Sequence, residues 1–152
     1  MQIENIKISP AEVKNFPTAL KWRRHAFGMD YAEVAELLDG GYTSVQIYNW
    51  EAGAALPPDD EKAVILATLA YVQNEVLAAY ETIMHNFTKL RFLAPSALLS
   101  PSTQEEYEKL YSDMAEKMPL VAYRQVLKML HMRLGLPIVA MNTTPEREEI
   151  FS

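Results

Sequence analysis

The sequence contains no cysteine, has a shortage of positive charge and lacks a long apolar run. Without cysteine, the chain can form no disulfide framework, no thiolate nucleophile and no zinc site built on cysteine. The most apolar stretch, residues 63–72, is too short to span a bilayer and continues into Gln73, Asn74 and Glu75. The amino terminus, MQIENIKISP, lacks the basic and then apolar run of a secretion signal. We therefore expect a cytoplasmic protein with no membrane partner.

Motifs of catalysis and of cofactor binding are also missing. The three histidines, His25, His85 and His131, fall in separate predicted helices and belong to no H-E-x-x-H or comparable ligand pattern. The pair Gly40-Gly41 lacks the following GK[ST] of a phosphate-binding loop. The acidic residues lie mostly at predicted helix starts, where they complement the helix dipole. We expect neither an enzyme nor a metal or cofactor site.

What the sequence does contain is a core-forming composition and clear helix-capping signals. With 152 residues, 49% hydrophobic and 22% charged, the chain can form one ordinary domain or two small ones. Residues 9–12, 30–33 and 43–46 each place Ser, Asp or Thr three positions before Glu or Gln, the pattern of a capping box. Glycines 28, 40, 41 and 53 follow as stop signals. These signals predict short helices ending near Phe27, Leu38 and Ala52, with Val34, Ala35 and Leu38 on one face of the middle helix.

The rest of the chain also has helical periodicity. A long helix is predicted over residues 59–87, with apolar residues that mostly alternate spacings of four and three: Ile65, Leu69, Val72, Val76, Ala79, Ile83 and Phe87. This pattern suits a seam with a second helix, either in a dimer or in an internal core. A further helix is predicted from residue 102 to Lys117. Pro119 begins the last one, which ends at Gly135 and has Leu120, Tyr123, Leu127, Leu130 and Leu134 on one face.

Two short extended segments complete the prediction. Residues 89–93 resemble a strand or connector, and residues 138–141 form a second candidate strand that could pair with the first. The segment from Asn142 carries a run of charge and is expected to be mobile. We thus predict a mainly α protein with at most a short two-stranded β element. Its parts are an amino-terminal domain over residues 1–58, a helical domain over residues 59–141 and a tail over residues 142–152.

Residues 20–58 resemble the helix-turn-helix domain of the lambda-repressor-like family, which includes the Cro and C1 phage repressors. The matching segments are LKWRRHAFG, YAEVAELL and SVQIYNWEAGAALP. More narrowly, the chain resembles a small bacterial and phage family in the order of its elements. This order is a long helix, then the KLRF segment, then a helix with AYRQVLKML. That family includes anti-CRISPR-associated autorepressors and proteins of unknown function. The resemblance implies that the third helix enters the major groove of DNA and that the carboxy-terminal domain forms a homodimer.

The third predicted helix has an apolar inner face, formed by Ile47 and Trp50, and a polar outer face. In the family arrangement the outer face reads bases, which implies base contacts from Ser44, Val45, Gln46 and Asn49. The candidates for phosphate contacts are Lys21, Arg23, Tyr31, Thr43 and Tyr48, with His25 as a further candidate. Each position has a structural alternative: Gln46 completes the capping box with Thr43, and Asn49 and Arg23 are solvated surface residues.

Arg24 and Glu51 are interpreted differently, as structural residues. They resemble family positions at which an Arg of the first helix pairs with a Glu at the end of the third. A buried bidentate pair of this kind fixes the orientation of the two helices. Glu51 is therefore expected to stabilise the fold and to take no part in catalysis.

The functional prediction is a homodimeric repressor that binds an inverted repeat in double-stranded DNA. The charge of residues 1–58 favours an alternative to DNA binding, because this segment has more acidic than cationic residues. The five cationic residues are Lys7, Lys14, Lys21, Arg23 and Arg24, and the seven acidic ones are Glu4, Glu12, Asp30, Glu33, Glu36, Asp39 and Glu51. That alternative is a helical protein-interaction module that retains the scaffold without binding DNA. A third reading is a toxin–antitoxin or RNA-binding role for the same face.

Overall fold

The computed structural model describes residues 3–26, 28–89 and 97–140. Within these residues the chain has eight helices and one short two-stranded sheet, which confirms the predicted mainly α class. The chain divides into two compact units, Met1–Leu77 and Ala78–Ser152. The proposed tail over residues 142–152 lies outside the described residues. The domain boundary at residue 58 stays a prediction.

The first unit contains four short helices and the start of a long one: α1 (Pro10–Lys14), α2 (Phe16–Ala26), α3 (Tyr31–Leu38), α4 (Ser44–Ala52) and α5 (Asp59–Lys89). The predicted caps are present. Both reciprocal bonds of the capping box form at Asp30 and Glu33 and at Thr43 and Gln46. Ser9 accepts a hydrogen bond from the backbone N–H of Glu12, but the Glu12 carboxylate binds Arg23 instead of completing a box.

Helix α4 packs against α2 and α3 through a small apolar core. Its most buried side chains are Phe16 and Leu20 of α2, Val34 of α3, and Ile47 and Trp50 of α4. The prediction for α3 was wrong in one respect, because Leu37 is buried and Leu38 is only half-buried. Positions 34 and 37 lie on the same side of a helix, and here that side faces the core.

The turn between α3 and α4 places Tyr42 against the core. Gly41 has a φ of 78°, a left-handed conformation that favours glycine. A Cβ atom at Gly40 would lie 2.8 Å from the Tyr42 ring, so a larger residue there would force this ring to move. The Tyr42 ring in turn packs edge-on against Trp50, with centroids 4.9 Å apart. The turn therefore helps to hold the inner face of α4.

The first half of α5 supplies core residues, and this favours the internal-core interpretation over a dimer seam for that half. Ile65, Leu69, Val72 and Val76 are all buried within the single chain. Farther along the predicted seam, Ala79 and Ile83 are half-buried, and the Phe87 side chain lies outside the described residues.

By length and composition alone, Asp59–Asn86 is the one described helix long and apolar enough to cross a membrane. A core helix has the same composition, and the buried apolar side chains within residues 65–76 are typical of a core helix. The absence of a membrane partner stays a prediction.

The second unit is built around α8 (Leu120–Leu134), preceded by α6 (Gln104–Leu110) and α7 (Ser112–Lys117). The sequence predicted one helix from residue 102 to Lys117, and the structure has two. The break occurs at Tyr111, whose backbone leaves the helical region and whose ring packs near Tyr107 and Tyr123. The single apolar face predicted for α8 was too narrow, because Val121, Ala122 and Val126 are buried as well.

The sheet consists of β1 (Leu98–Ser100) and β2 (Ile138–Ala140), which run parallel with Leu98 opposite Ile138. The candidate strand at residues 138–141 is thus present over Ile138–Ala140, and residue 141 lies outside the described residues. Its described partner is not the segment that we expected. Lys89 ends α5, and residues 90–93 lie outside the described residues. Leu98 is the better partner because its side chain is buried and its backbone N–H donates to the carbonyl of Pro137 at 2.8 Å. Helices α6 to α8 form the long connection that parallel strands require.

Candidate nucleic-acid interface

The outer face of α4 is exposed, polar and uncharged. We call it the α4 ridge, and it comprises Thr43, Ser44, Val45, Gln46, Tyr48 and Asn49. Val45 is 63% exposed and Tyr48 is 55% exposed, whereas Asn49 is half-buried. Ile47 and Trp50, on the opposite side, are buried in the core. The structure therefore brings the four predicted base-reading residues onto one solvent-facing surface, together with Thr43 and Tyr48.

Two residues of the α4 ridge also form the cap of the helix. The Oγ1 atom of Thr43 accepts a hydrogen bond from the Gln46 backbone N–H at 3.2 Å. In return, the Oε1 atom of Gln46 accepts one from the Thr43 backbone N–H at 2.8 Å. The structural alternative for Gln46 is thus correct, but it leaves the amide nitrogen of Gln46 without a hydrogen bond to any described residue. Gln46 has both a structural role and a donor that faces solvent.

The predicted pair of Arg24 and Glu51 joins α2 to α4. Arg24 donates from Nε to Oε2 of Glu51 at 2.6 Å and from Nη2 to Oε1 at 3.0 Å. Its Nη1 donates to the carbonyl of Met29 at 2.9 Å. The side chains are only 11% and 6% exposed, and the hydrogen bond to Glu51 raises the pKa of Arg24 although burial lowers it. This ion pair fixes the carboxy-terminal end of α4 against α2.

Two aromatic rings connect the ion pair to the α4 ridge, a contact that sequence reasoning missed. The guanidinium of Arg24 lies over the Tyr31 ring, 4.4 Å from its centroid. Tyr31 meets Tyr48 edge-on, with centroids 5.6 Å apart and planes at 86°. Both geometries are favourable for cations and aromatic rings. The position of the Tyr48 ring on the ridge is therefore supported by Arg24 through Tyr31, and no sequence spacing signals this stack.

Arg23 has a different environment from the one we expected. Its Nε and Nη2 atoms donate to Oε1 of Glu12 at 3.1 and 2.7 Å, and its Nη1 donates to Oε1 of Gln73 at 3.0 Å. Neighbouring residues on a helix point about 100° apart, so Arg23 faces α1 and α5 while Arg24 faces α4. Since each of its three donor nitrogens is engaged, Arg23 ties three helices together, and we leave it out of the phosphate candidates.

Lys21 and His25 lie exposed on α2, beside a shallow groove that also contacts Trp22 and Glu51. Lys21 forms no ion pair with any described residue. Because it is exposed and unpaired among these residues, it is a suitable cation for a phosphate contact. Trp22 is 75% exposed, and sequence reasoning did not single it out. In the described part of the chain, no three His, Asp or Glu side chains cluster in a way that could hold a metal ion.

No protein-family model matches this chain, and no curated protein matches it either. The resemblance of residues 20–58 to the lambda-repressor-like family thus stays a prediction.

Proposed function

We propose that this protein is a sequence-specific DNA-binding transcriptional regulator of the lambda-repressor-like type, acting as a homodimeric repressor. The observation that carries the proposal is the α4 ridge. A helix that is fixed on one side by Ile47, Trp50 and Glu51 presents amides, hydroxyls and one branched apolar side chain on the other. These are the groups that distinguish base edges in the major groove.

Individual residues of the α4 ridge suit different parts of a DNA duplex. The Asn49 amide is suited to adenine, and the exposed Val45 to a thymine methyl group. The hydroxyl group of Ser44 can form a hydrogen bond with a base or with a phosphate. Tyr31, Thr43 and Tyr48 supply hydroxyl groups for the phosphate backbone, with Lys21 as the accompanying cation.

The net charge of −6 is compatible with this proposal if binding depends on few charged contacts. Neutral donors bind phosphate oxygens without releasing many counterions, so the affinity then depends only weakly on salt. Dimerisation through the carboxy-terminal domain doubles the number of contacts. Two α4 helices in successive major grooves would read half-sites about 34 Å apart in an inverted repeat.

A second candidate function is a protein-interaction module, and the exposure of Trp22 and Val45 favours it specifically. Large aromatic rings are enriched at protein interfaces, and an exposed α4 without cations would suit a protein partner. Under this alternative, Asn49→Ala leaves activity intact, whereas Trp22→Ala abolishes it.

The test is footprinting and gel shift of the folded protein on the DNA upstream of its own gene, at low salt. We expect a protected inverted repeat and a loss of roughly tenfold or more in affinity for Asn49→Ala. Asn74→Ala is the matched control, because it removes an exposed amide from α5 and should leave affinity unchanged. Absence of a shift with folded protein contradicts the proposal and leaves the interaction module.

A further inference from the structure

Trp22 lies on the side of α2 that faces away from the core of the first unit. Successive residues of a helix are about 100° apart, so position 22 is about 200° from the buried Leu20 and Arg24. The residues four positions before and after Trp22 are Thr18 and Ala26, which are small and are its neighbours on the helix surface. They leave the ring uncovered, and its exposure is 75%.

Two shallow grooves meet at the Trp22 ring, and we call the ring and both grooves the Trp22 surface. One groove has a volume of about 480 Å³, and its lining includes Ala11 and Ala19. The other has a volume of about 710 Å³, and its lining includes Lys21 and His25. A single exposed apolar ring is common on protein surfaces. A ring between two grooves also offers space for the side chains of a partner.

The two grooves differ in charge. In the smaller groove, the carboxylate of Glu12 is bound by Arg23 at 2.7 Å, and the pair adds no net charge. In the larger groove, Glu51 is bound by Arg24 at 2.6 Å. Lys21 is left there without an ion-pair partner among the described residues. The larger groove is thus positively charged, although the chain has a net charge of −6, and it attracts an acidic group.

His25 adds a hydrogen-bond donor to the larger groove. Its Nε2 atom lies 3.1 Å from Nη2 of Arg24. A guanidinium can only donate, so this ring nitrogen accepts and the proton of the ring is on Nδ1. Lys21 and His25 are four residues apart on α2 and therefore share one face of the helix. Both of them supply N–H donors, which are the groups that a carboxylate binds.

We propose that the Trp22 surface docks a partner protein through a segment in which an apolar side chain neighbours a carboxylate. The apolar side chain packs beside Trp22 in the smaller, neutral groove, and the carboxylate binds Lys21 and His25 in the larger one. Tryptophan is among the residues that contribute most to binding at protein interfaces. This inference goes beyond DNA binding and does not depend on it. Because Lys21 is also the proposed phosphate cation, the partner and DNA would exclude each other at this side chain.

Peptide display on the full-length protein tests the proposal with a defined probe. Random linear peptides would be selected on the immobilised wild type in the absence of DNA, and the affinities of the enriched peptides measured by fluorescence anisotropy. Acrylamide quenching reports where they bind. Of the two tryptophans, Trp22 is 75% exposed and Trp50 only 5%, so a peptide that covers Trp22 protects the accessible ring from quenching.

We expect the enriched peptides to share an acidic and an apolar residue. Trp22→Ala should lower their affinity roughly tenfold or more. Lys21→Glu should also weaken binding, and a peptide in which lysine replaces the acidic residue should bind this variant again. Leu110→Ala and Lys109→Glu are matched controls, because they change an exposed apolar and an exposed cationic side chain of α6 and should leave affinity unchanged. Thermal unfolding checks that each variant is folded.

Three results would overturn the proposal. The first is a selection on folded protein that enriches no peptide, and the second is equal affinity of the enriched peptides for the wild type and Trp22→Ala. The third is a failure of the lysine-substituted peptide to bind Lys21→Glu, which contradicts the pairing with a carboxylate. None of these results affects the test of DNA binding, since no DNA is present in the selection.

Discussion

Helices α4 and α8 differ in how much of their surface the protein uses for its own core. In α8, residues on nearly every side are buried, including Leu120, Val121, Ala122 and Val126. In α4, the core residues are Ile47 and Trp50, the Glu51 side chain is buried in its ion pair with Arg24, and the residues of the α4 ridge face solvent, with Asn49 half-buried. A helix surrounded by its own unit has little surface left for a partner, whereas α4 retains most of its surface. Of these two helices, α4 therefore has the surface that is available to a partner.

The two units also differ in the interactions that hold these helices. In the first unit, charged side chains connect the helices, with Arg24 bound to Glu51 and Arg23 bound to Glu12. In the second, three tyrosine rings pack together, and the hydroxyl of the buried Tyr107 donates to the carbonyl of Met118 at 3.0 Å. The stability of the first unit should thus depend on ion pairs, and that of the second on buried aromatic rings.

The largest expected effect comes from breaking the buried ion pair. Glu51→Ala leaves the Arg24 guanidinium buried without its carboxylate, which we expect to lower the free energy of unfolding by about 3–5 kcal/mol. Urea denaturation measures the change. Asp59→Ala is the matched control, because it breaks the pair with Lys62, in which Asp59 is 84% exposed. Exposed pairs contribute little, so a similar loss in both variants would contradict the special role of Glu51.

A second prediction concerns alkaline pH and the tyrosine cluster. Burial raises the pKa of Tyr123 from 10.0 to about 12, and it also raises the pKa of Tyr107. The unfolded chain therefore releases these protons at a lower pH than the folded one. The contribution of these two tyrosines to stability should be fully present below pH 10 and should be lost as the pH rises from 10 towards 12. Denaturation curves across this range check the expectation.

The variant Tyr123→Phe provides the control for this pH dependence. It keeps the ring but removes the ionisable hydroxyl, so the loss of stability with rising pH should be smaller than in the wild type. An unchanged pH dependence in Tyr123→Phe would show that groups elsewhere cause the alkaline transition.

A smaller effect is expected from removing one hydroxyl group of the α4 ridge. Tyr48→Phe keeps the edge-on contact with Tyr31 but loses the proposed phosphate contact. A neutral hydrogen bond contributes about 1 kcal/mol, so affinity should fall severalfold, equally for operator and unrelated DNA. Fluorescence anisotropy with both duplexes measures this, and Tyr71→Phe on α5 serves as control. A loss confined to the operator would assign Tyr48 to base reading instead.

The smallest effect concerns the dependence of binding on salt. Lys21 is the one cation that we propose for the phosphate backbone in each protomer, since Arg23 and Arg24 bind Glu12 and Glu51. Lys21→Ala should therefore reduce the slope of log affinity against log salt by about 0.9 per protomer. Titrations at several salt concentrations provide the slope. A steep slope that Lys21→Ala does not change would mean that other cations carry the electrostatic contact.

Local features of this fold could be predicted from the sequence, because the residues that form them lie close together along the chain. The caps at Asp30 and Thr43 join residues three apart, so the chain itself brings them together. The burial of Ile47 and Trp50 follows from their spacing within one helix. The pairing of Arg24 with Glu51, 27 residues apart in sequence, was expected only because of the family resemblance.

Features that depend on distant parts of the chain escaped prediction. Arg23 binds Gln73 across 50 residues, and no local pattern shows which way its side chain turns. Tyr111 interrupts a predicted helix at the point where its ring packs with Tyr123 of a later helix. The contact between Tyr31 and Tyr48 likewise joins two helices whose orientation the capping signals do not specify.

The most direct test of the central claim is a residue-by-residue NMR titration of the full-length protein with its upstream DNA at low salt. If the α4 ridge binds the duplex, the backbone amides of residues 43–49 and of Tyr31 should show the largest changes in chemical shift. Saturation should occur at one duplex per protein dimer. No change in these amides at a saturating DNA concentration, with the protein folded, would contradict the account.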